Sequence, residues 1–230
     1  MNFKATSNLT QFLRSIEKTR QQIPFATAKA LTLTVKDVRE GLKTEMQRVF
    51  KAPTPYTLRS LYMKSATKAS LAAEVGHIDF GGKGGAAGKY LKPQVFGGSR
   101  PFKRSERQLG EYWVPTRRTP LNSYGNIRRG TMTQVLSVLG KNPDYYQNTT
   151  KRSRKRNKKL PEYFTSHGGR LPAGVWQRSG RKSIKPILFF TKSPGYTPRY
   201  DFFGISRKIT AEQFPLHFRS TMAEAMRTAR

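Results

Sequence analysis

The chain has 230 residues, with 44 Lys and Arg against 13 Asp and Glu, a formal net charge of +31 at pH 7. It has no cysteine, which excludes a disulfide framework, a thiolate nucleophile and Cys-ligated zinc or iron–sulfur centres. Three scattered His residues and few carboxylates leave little material for a metal site or a paired acid–base centre, so no metal or cofactor is expected. The positive surplus points instead to a polyanion: nucleic acid, an anionic surface or an acidic protein face. With 36% hydrophobic and 11% aromatic residues, the chain carries enough apolar material for a modest core surrounded by basic loops. No apolar run reaches 18 residues, so no membrane span is expected. Residues 1–6 lack the apolar centre of a signal peptide, so secretion by that route is not expected either.

In chain order, Leu9, Phe12, Leu13 and Ile16 recur at three- and four-residue steps, which predicts a short helix over 6–20. Pro24 suits the first turn of a second, longer helix. Its stripe is Ala28, Leu31, Val35, Val38, Leu42, Met46 and Val49, and Pro53 and Pro55 end it. Segments 61–66 and 70–75 predict two short strands in a hairpin. A Gly-rich loop follows over 80–89, then extended chain and a turn of helix near 103–109. Segment 111–115 reads as an edge strand because it ends in Pro115. Residues 127–139 predict a helix capped by Ser123 or Asn126 and closed by Gly140.

Segment 142–160 has almost no apolar residues outside Tyr145 and Tyr146, and 151–159 holds seven cations in nine positions. It reads as a basic arm that orders once something neutralises it. Strands are predicted over 163–166, 174–178 and 184–191, with a hairpin turn at 180–182 and Pro186 marking an edge or bulge. A closing helix is predicted over 210–230, faced by Phe214, Phe218, Met222, Met226 and Ala229, with Thr210 and Gln213 as a capping box and Pro215 fitting poorly inside. The sum is a single α+β domain over 1–230: N-terminal helices including one long helix, a small and mostly antiparallel sheet, a C-terminal helix, and extended basic arms at about 76–110 and 140–160. Connections of that length are uncommon in a compact domain unless neighbours order them.

Few motifs offer chemistry. A phosphate loop needs Gly, four residues, then Gly-Lys and a hydroxyl residue. Here Tyr90 follows Gly88-Lys89 and Lys83 stands where the first glycine belongs, so the run reads as a flexible loop. No Ser occupies a Gly-x-Ser-x-Gly elbow, and His77, His167 and His217 have no acidic residue at motif spacing. A nuclease would need clustered carboxylates for Mg²⁺, and those of this chain are scattered. An enzyme is therefore not expected. The charge features that remain are Lys151, Arg152, Arg154, Lys155, Arg156, Lys158 and Lys159, with Lys103, Arg104, Arg128 and Arg129. They read as contacts to phosphate or to an acidic partner, without sequence readout. Interleaved Tyr and Phe would permit base stacking, although at helix or strand period such residues more often serve the core.

A resemblance spans the chain in ordered blocks: 23–31 (IPFATAKAL) leading into Val49-Phe50 and 53–57 (PTPYT), then 90–104 (YLKPQVFGGSRPFKR), 124–130 (YGNIRRG) and 200–205 (YDFFGI). In these blocks the sequence resembles phage and prophage virion proteins of the neck and tail-completion type, and it is similar to the minor tail protein Z group of lambda-like phages. The resemblance implies a structural subunit joining portal or head to tail, and because extended loops without their own core need partners, a homo-oligomeric ring is expected. It implies portal, adaptor or tail-tube proteins as partners, contact with phage DNA, assembly in the host cytoplasm and no membrane. It carries over no catalytic residue. The alternative reading is a DNA-binding virion protein without sequence specificity that assists genome packaging or ejection.

Overall fold

The computed structural model describes residues 9–79, 86–158, 160–180 and 183–228. In chain order its elements are α1 (Leu9–Val49), α2 (Pro55–Leu58), β1 (Leu61–Lys64), β2 (Glu74–His77), α3 (Gly88–Phe96), β3 (Gly98–Ser99), α4 (Arg104–Leu109) and β4 (Tyr112–Pro115). Then come α5 (Arg129–Val138), a 3₁₀ turn at Tyr145–Gln147, α6 (Lys151–Arg156), β5 (Glu162–Ser166), β6 (Gly174–Arg178), β7 (Ile184–Thr191), β8 (Gly195–Tyr196) and α7 (Phe202–Thr228). The class is α+β, with a long N-terminal helix, small antiparallel sheets and a C-terminal helix. The chain packs as two compact units where the sequence suggested one domain: Met1–Leu91 with Pro198–Arg230, and Lys92–Thr197.

The first unit rests on the pairing of α1 with α7. The two helices expected at 6–20 and from Pro24 are one helix of 41 residues, ~60 Å long, with Pro24 inside it. Proline removes one amide donor from the ladder, yet the helix runs on, because burial from Ala26 onward holds the next turns in place. The helices run antiparallel: Thr221 Oγ1 donates to the Ala26 carbonyl (3.0 Å), Lys29 Nζ meets Glu224 (2.7 Å), and His217 Nε2 meets Asp37 (2.6 Å). The buried line on α1 is Ala26, Ala30, Thr34, Val38, Leu42 and Met46, at four-residue steps. Leu31, Val35 and Val49 of the expected stripe are only half-buried.

On α7 the buried positions are Thr221 and Ala225, and the flanking Phe214, Phe218 and Met222 are half-buried. Small residues fill the line from Ala26 to Thr34, where they let the two backbones approach, and Val38, Leu42 and Met46 continue it. A Cβ on Gly41 would lie 2.2 Å from Ile209 Cδ1. α7 begins eight residues before the expected start, where Asp201 Oδ1 accepts the Gly204 N–H (2.8 Å) and caps the helix.

Beyond the helix pair, β1 and β2 form an antiparallel ribbon from Leu61↔His77 to Lys64↔Glu74. The second strand therefore falls later than 70–75. His77 ends this ribbon inside an aromatic cluster, with ring centroids 5.7 Å from Tyr200 and 5.5 Å from Phe202. Ser60 Oγ donates to the Thr57 carbonyl (2.7 Å), so at 3.2 Å it accepts from His77 Nδ1–H. That assigns the tautomer and leaves Nε2 buried without a partner. Burial lowers the His77 pKa to about 4, against the opposing pull of Asp79.

The second unit is built on a four-stranded antiparallel sheet in the order β4-β7-β6-β5. Its core joins Trp113, Val135, Val138, Tyr163, Val175, Ile187 and Leu188, so α5 lies across the sheet. β4 is an edge strand, as Pro115 suggested. Pro186 sits on the interior strand β7, where the register passes from Val175↔Leu188 to Trp176↔Pro186 and leaves Ile187 as the extra residue. The bulge is what admits a proline with no N–H to give. α5 starts at Arg129 with Arg128 as its cap residue; neither Ser123 nor Asn126 caps it. The hairpin turn expected at 180–182 lies partly outside the described residues, as does most of the Gly-rich loop.

Segments expected as arms carry structure. Within 76–110 lie α3, β3 and α4, and within 140–160 lie the 3₁₀ turn and α6. Local capping supplies the missing order: Asp144 accepts the Tyr146 N–H (3.1 Å), and Thr150 Oγ1 accepts the Ser153 N–H (3.1 Å).

Two outcomes follow from this packing. At Gly174 an added Cβ would stand 2.1 Å from the Leu188 carbonyl oxygen, a backbone atom with no room to move. Gly174→Ala is expected to cost about 2–3 kcal/mol, read by urea unfolding with the Trp113 and Trp176 fluorescence as probe; a loss below 0.5 kcal/mol would contradict the close approach. For His77, a lowered folded pKa means stability that is complete above pH 6.5 and lost as pH falls from there toward 4. The wild-type protein is expected to lose up to ~3 kcal/mol over that window relative to His77→Phe, measured by denaturation at stepped pH; parallel curves would contradict it.

Candidate nucleic-acid interface

All of the cations singled out in the sequence fall in the second unit. By sequence, Lys92–Thr197 carries 23 Lys and Arg against four Asp and Glu, so the shorter unit holds the larger share of the surplus. Its carboxylates are turned to structural use. Glu106 is fully buried on Arg100, Asp144 caps the 3₁₀ turn, and Glu162 meets Arg178 (3.4 Å). The remaining one is Glu111. The exposed field of this unit is therefore overwhelmingly positive, which draws phosphate by long-range attraction and counterion release.

The structure divides the expected site residues among three places. Lys151, Arg152, Arg154, Lys155 and Arg156 form α6 with only Ser153 among them, and all five are exposed. Lys158 follows, also exposed, and Lys159 lies outside the described residues. Three cations in the last turn of α6 face its negative dipole end, which partly offsets their mutual repulsion. Arg154 donates to the Val138 carbonyl (3.3 Å) at the end of α5. This tie leaves the other four free to meet a ligand.

Arg128 and Arg129 open α5. Arg128 Nε donates to the Leu121 carbonyl (3.4 Å), and Arg129 is exposed. Lys103 and Arg104 open α4. Arg104 and Lys103 are both exposed, and Lys103 Nζ lies 5.4 Å over the Trp113 ring. Desolvation there, reinforced by the nearby Arg100 charge, lowers the Lys103 pKa. Lys103 therefore keeps its access to solvent while its ammonium rests on the Trp113 ring, a contact with which a phosphate would compete.

The sequence reading passed over the buried ion pair beside it. Arg100 Nη1 and Nη2 each donate to Glu106 at 2.6 Å, in a bidentate fork, and Arg100 Nε donates to Tyr196 Oη (3.1 Å). Glu106 also accepts the Lys103 N–H (2.7 Å), while Tyr112 Oη donates to the Arg100 carbonyl (3.0 Å). Antiparallel pairing of β3 with β8 brings Tyr196 to this node across nearly 100 residues of sequence. Burial by itself would raise the Glu106 pKa. The Arg100 bonds and the Lys103 amide outweigh it and hold the carboxyl below its ordinary range. The one local sign was a Glu at the third position of the expected turn of helix near 103–109.

Other arrangements bear on chemistry. His217 and Asp37 meet although 180 residues separate them, which no motif spacing reveals. Among the described residues no hydroxyl bonds to the other ring nitrogen, and the pair ties α1 to α7. Two open recesses in the second unit are lined by Glu162, Gln177, Arg178 and Lys185, and by Arg117, Arg118, Pro186 and Phe189; no His lines either. Among the described residues no group of three or more His, Asp or Glu is placed to hold a metal ion. Among them, too, no helix is long and apolar enough to cross a membrane.

The chain matches no protein-family model, no curated protein and no solved structure.

Glu106→Gln leaves a buried guanidinium without its counter-charge, and is expected to cost about 3–5 kcal/mol in thermal or urea unfolding. Because the folded carboxyl pKa is depressed, the pair's contribution is complete above the ordinary value of 4.5 and lost as pH falls below it. The variant should lack that share of the acid sensitivity. A variant as stable as the wild type at pH 7 would overturn the assignment of this node as structural.

Proposed function

We propose that the protein is a structural subunit of a tailed-phage virion, at the neck or in tail completion, where it forms a homo-oligomeric ring and sets its second unit against DNA. The observation that carries this reading is the positive surface of that unit, whose carboxylates are largely spent on internal bonds while α6 offers four untied cations. Such a surface suits a partner recognised through its backbone charge alone. The ordered blocks of sequence resemblance to neck and tail-completion proteins, together with +31 net charges that a closed assembly around DNA would neutralise, direct it to the virion interior. Portal, adaptor or tail-tube faces and the genome are the partners in this reading, and rings arise from heterologous contacts that close.

Deleting the coding sequence in the phage that carries it is expected to yield DNA-filled heads without attached tails by electron microscopy. Mass spectrometry of intact virions should find the protein at a fixed multiple per particle. Its absence from purified virions would overturn the reading. Empty heads in the deletion would favour the packaging role instead.

A further inference from the structure

Two tyrosines stand out from every other aromatic residue of the described chain. Tyr145 is 79% exposed and Tyr146 95% exposed, side by side on the 3₁₀ turn. Their rings meet edge to face, with centroids 6.1 Å apart. Two adjacent rings left almost wholly in water gain nothing from the core, so their place in the fold calls for another explanation.

The turn that carries them is not a loose loop. Asn142 and Asn148 close it reciprocally: the Asn142 N–H donates to Asn148 Oδ1 (3.0 Å) and Asn148 Nδ2 donates to the Asn142 carbonyl (3.1 Å). Both Asp144 oxygens are occupied, one by the Tyr146 N–H and one by Gln147 Nε2 (2.8 Å). The single acid of the turn is thus committed to its geometry. Ser137, in the last turn of α5, donates through its hydroxyl to the Gln147 carbonyl and accepts the Thr149 N–H at its own carbonyl (2.9 Å). One residue further along α5, Val138 accepts from Arg154. The tyrosine turn and the cationic helix are therefore hung from two adjacent residues, Ser137 and Val138, of a helix that is packed on the sheet.

From this geometry we infer that Tyr145 and Tyr146, with Lys151, Arg152, Lys155 and Arg156 of α6, form a binding site for single-stranded nucleic acid. Exposed rings offer faces on which unpaired bases stack, whatever their identity, and the cations of α6, which begins four residues after the turn ends and is tied to the same helix, neutralise the backbone that links those bases. A duplex hides its base faces, and an acidic protein surface has none. A duplex would use the cations and leave the tyrosines idle, and a protein that packs on the rings as well as the cations is told apart by competition with a polyanion that has no bases. A site fixed in advance also loses less conformational entropy when a flexible strand binds. The inference rests on the proposed contact with DNA and narrows it to unpaired stretches, such as genome ends or strands opened during passage.

The test uses the full chain and fluorescence anisotropy. Probes are a labelled oligo(dT) of about 20 nucleotides, a mixed-sequence single strand of the same length, the matching duplex, and poly-glutamate as competitor. Tyr145→Ala with Tyr146→Ala is expected to weaken single-strand binding at least roughly tenfold and duplex binding less than twofold. Tyr145→Phe with Tyr146→Phe keeps the stacking faces and should bind within twofold of the wild type. Replacing Lys151, Arg152, Lys155 and Arg156 by Ser should weaken both and flatten the salt dependence by up to about 3 in log–log slope for the single strand.

Because both rings are exposed, circular dichroism should show all variants folded. Equal single-strand affinity of the double Ala variant and the wild type would overturn the inference while leaving a duplex-binding role intact. Poly-glutamate that displaces the strand at equal charge and responds equally to the Tyr substitutions would overturn it in favour of an acidic protein partner. Binding to no nucleic acid at all would sink both the site and the wider DNA reading.

Discussion

Scarcity of carboxylates governs this molecule. With 13 acids against 44 bases, no arrangement of ion pairs can neutralise the chain, and each acid has to be placed where it yields most. Glu106 is spent on the buried fork to Arg100, Asp201 on the cap of α7, Asp144 on the tyrosine turn, and Asp37 and Glu224 on the seam between α1 and α7. Exposed pairs such as Glu17 with Arg20 and Glu40 with Lys43 are worth little by comparison. What remains outside is charge of one sign. The compact state bears that self-repulsion through two separate cores, a helix pair and a sheet under α5, neither of which depends on surface electrostatics.

That economy explains how the function can be read. A polyanion-binding surface needs cations that nothing internal has claimed. In α6 the fold claims one, Arg154, and leaves its neighbours free. At α4, Lys103 is exposed but already engaged by the Trp113 ring beside the Arg100 node. Two cations next to each other in sequence, Lys103 and Arg104, thus have different roles.

Much of the fold was legible because its signals are local. Strands at 163–166, 174–178 and 184–191 lie within a residue of β5, β6 and β7, and Pro115 and Pro186 marked an edge and a bulge. Long-range choices were not legible. The α1–α7 seam uses Ala26, Ala30, Thr34, Thr221 and Ala225, whereas hydrophobic periodicity weights Leu31, Val35 and Phe218 more heavily. Size tells which residues can fill a core, but a close helix pair selects for the absence of size. The basic segment was read as an arm because it has almost no apolar residues. Its order comes from a capping box, an Asn–Asn clasp and two ties to α5, none of which hydropathy registers. In the candidate site, the cations were visible as a run. The exposure of Tyr145 and Tyr146 was not, because aromatic residues in sequence look the same whether buried or bare.

The interleaved order of the two units has a consequence for how the chain is born. Lys29 and Glu224 lie 195 positions apart, so α1 leaves the ribosome long before its partner helix exists. The whole of Lys92–Thr197 is synthesised in between, and every strand of its four-stranded sheet is present once residue 191 has emerged. The inserted unit can therefore close first, while the small-residue face of α1 waits uncovered for α7. Translation of α7 through Ala225 is then the step that completes the first unit, and the interval before it is when a nascent chain is most exposed to chaperones or to pairing with the α1 of another copy.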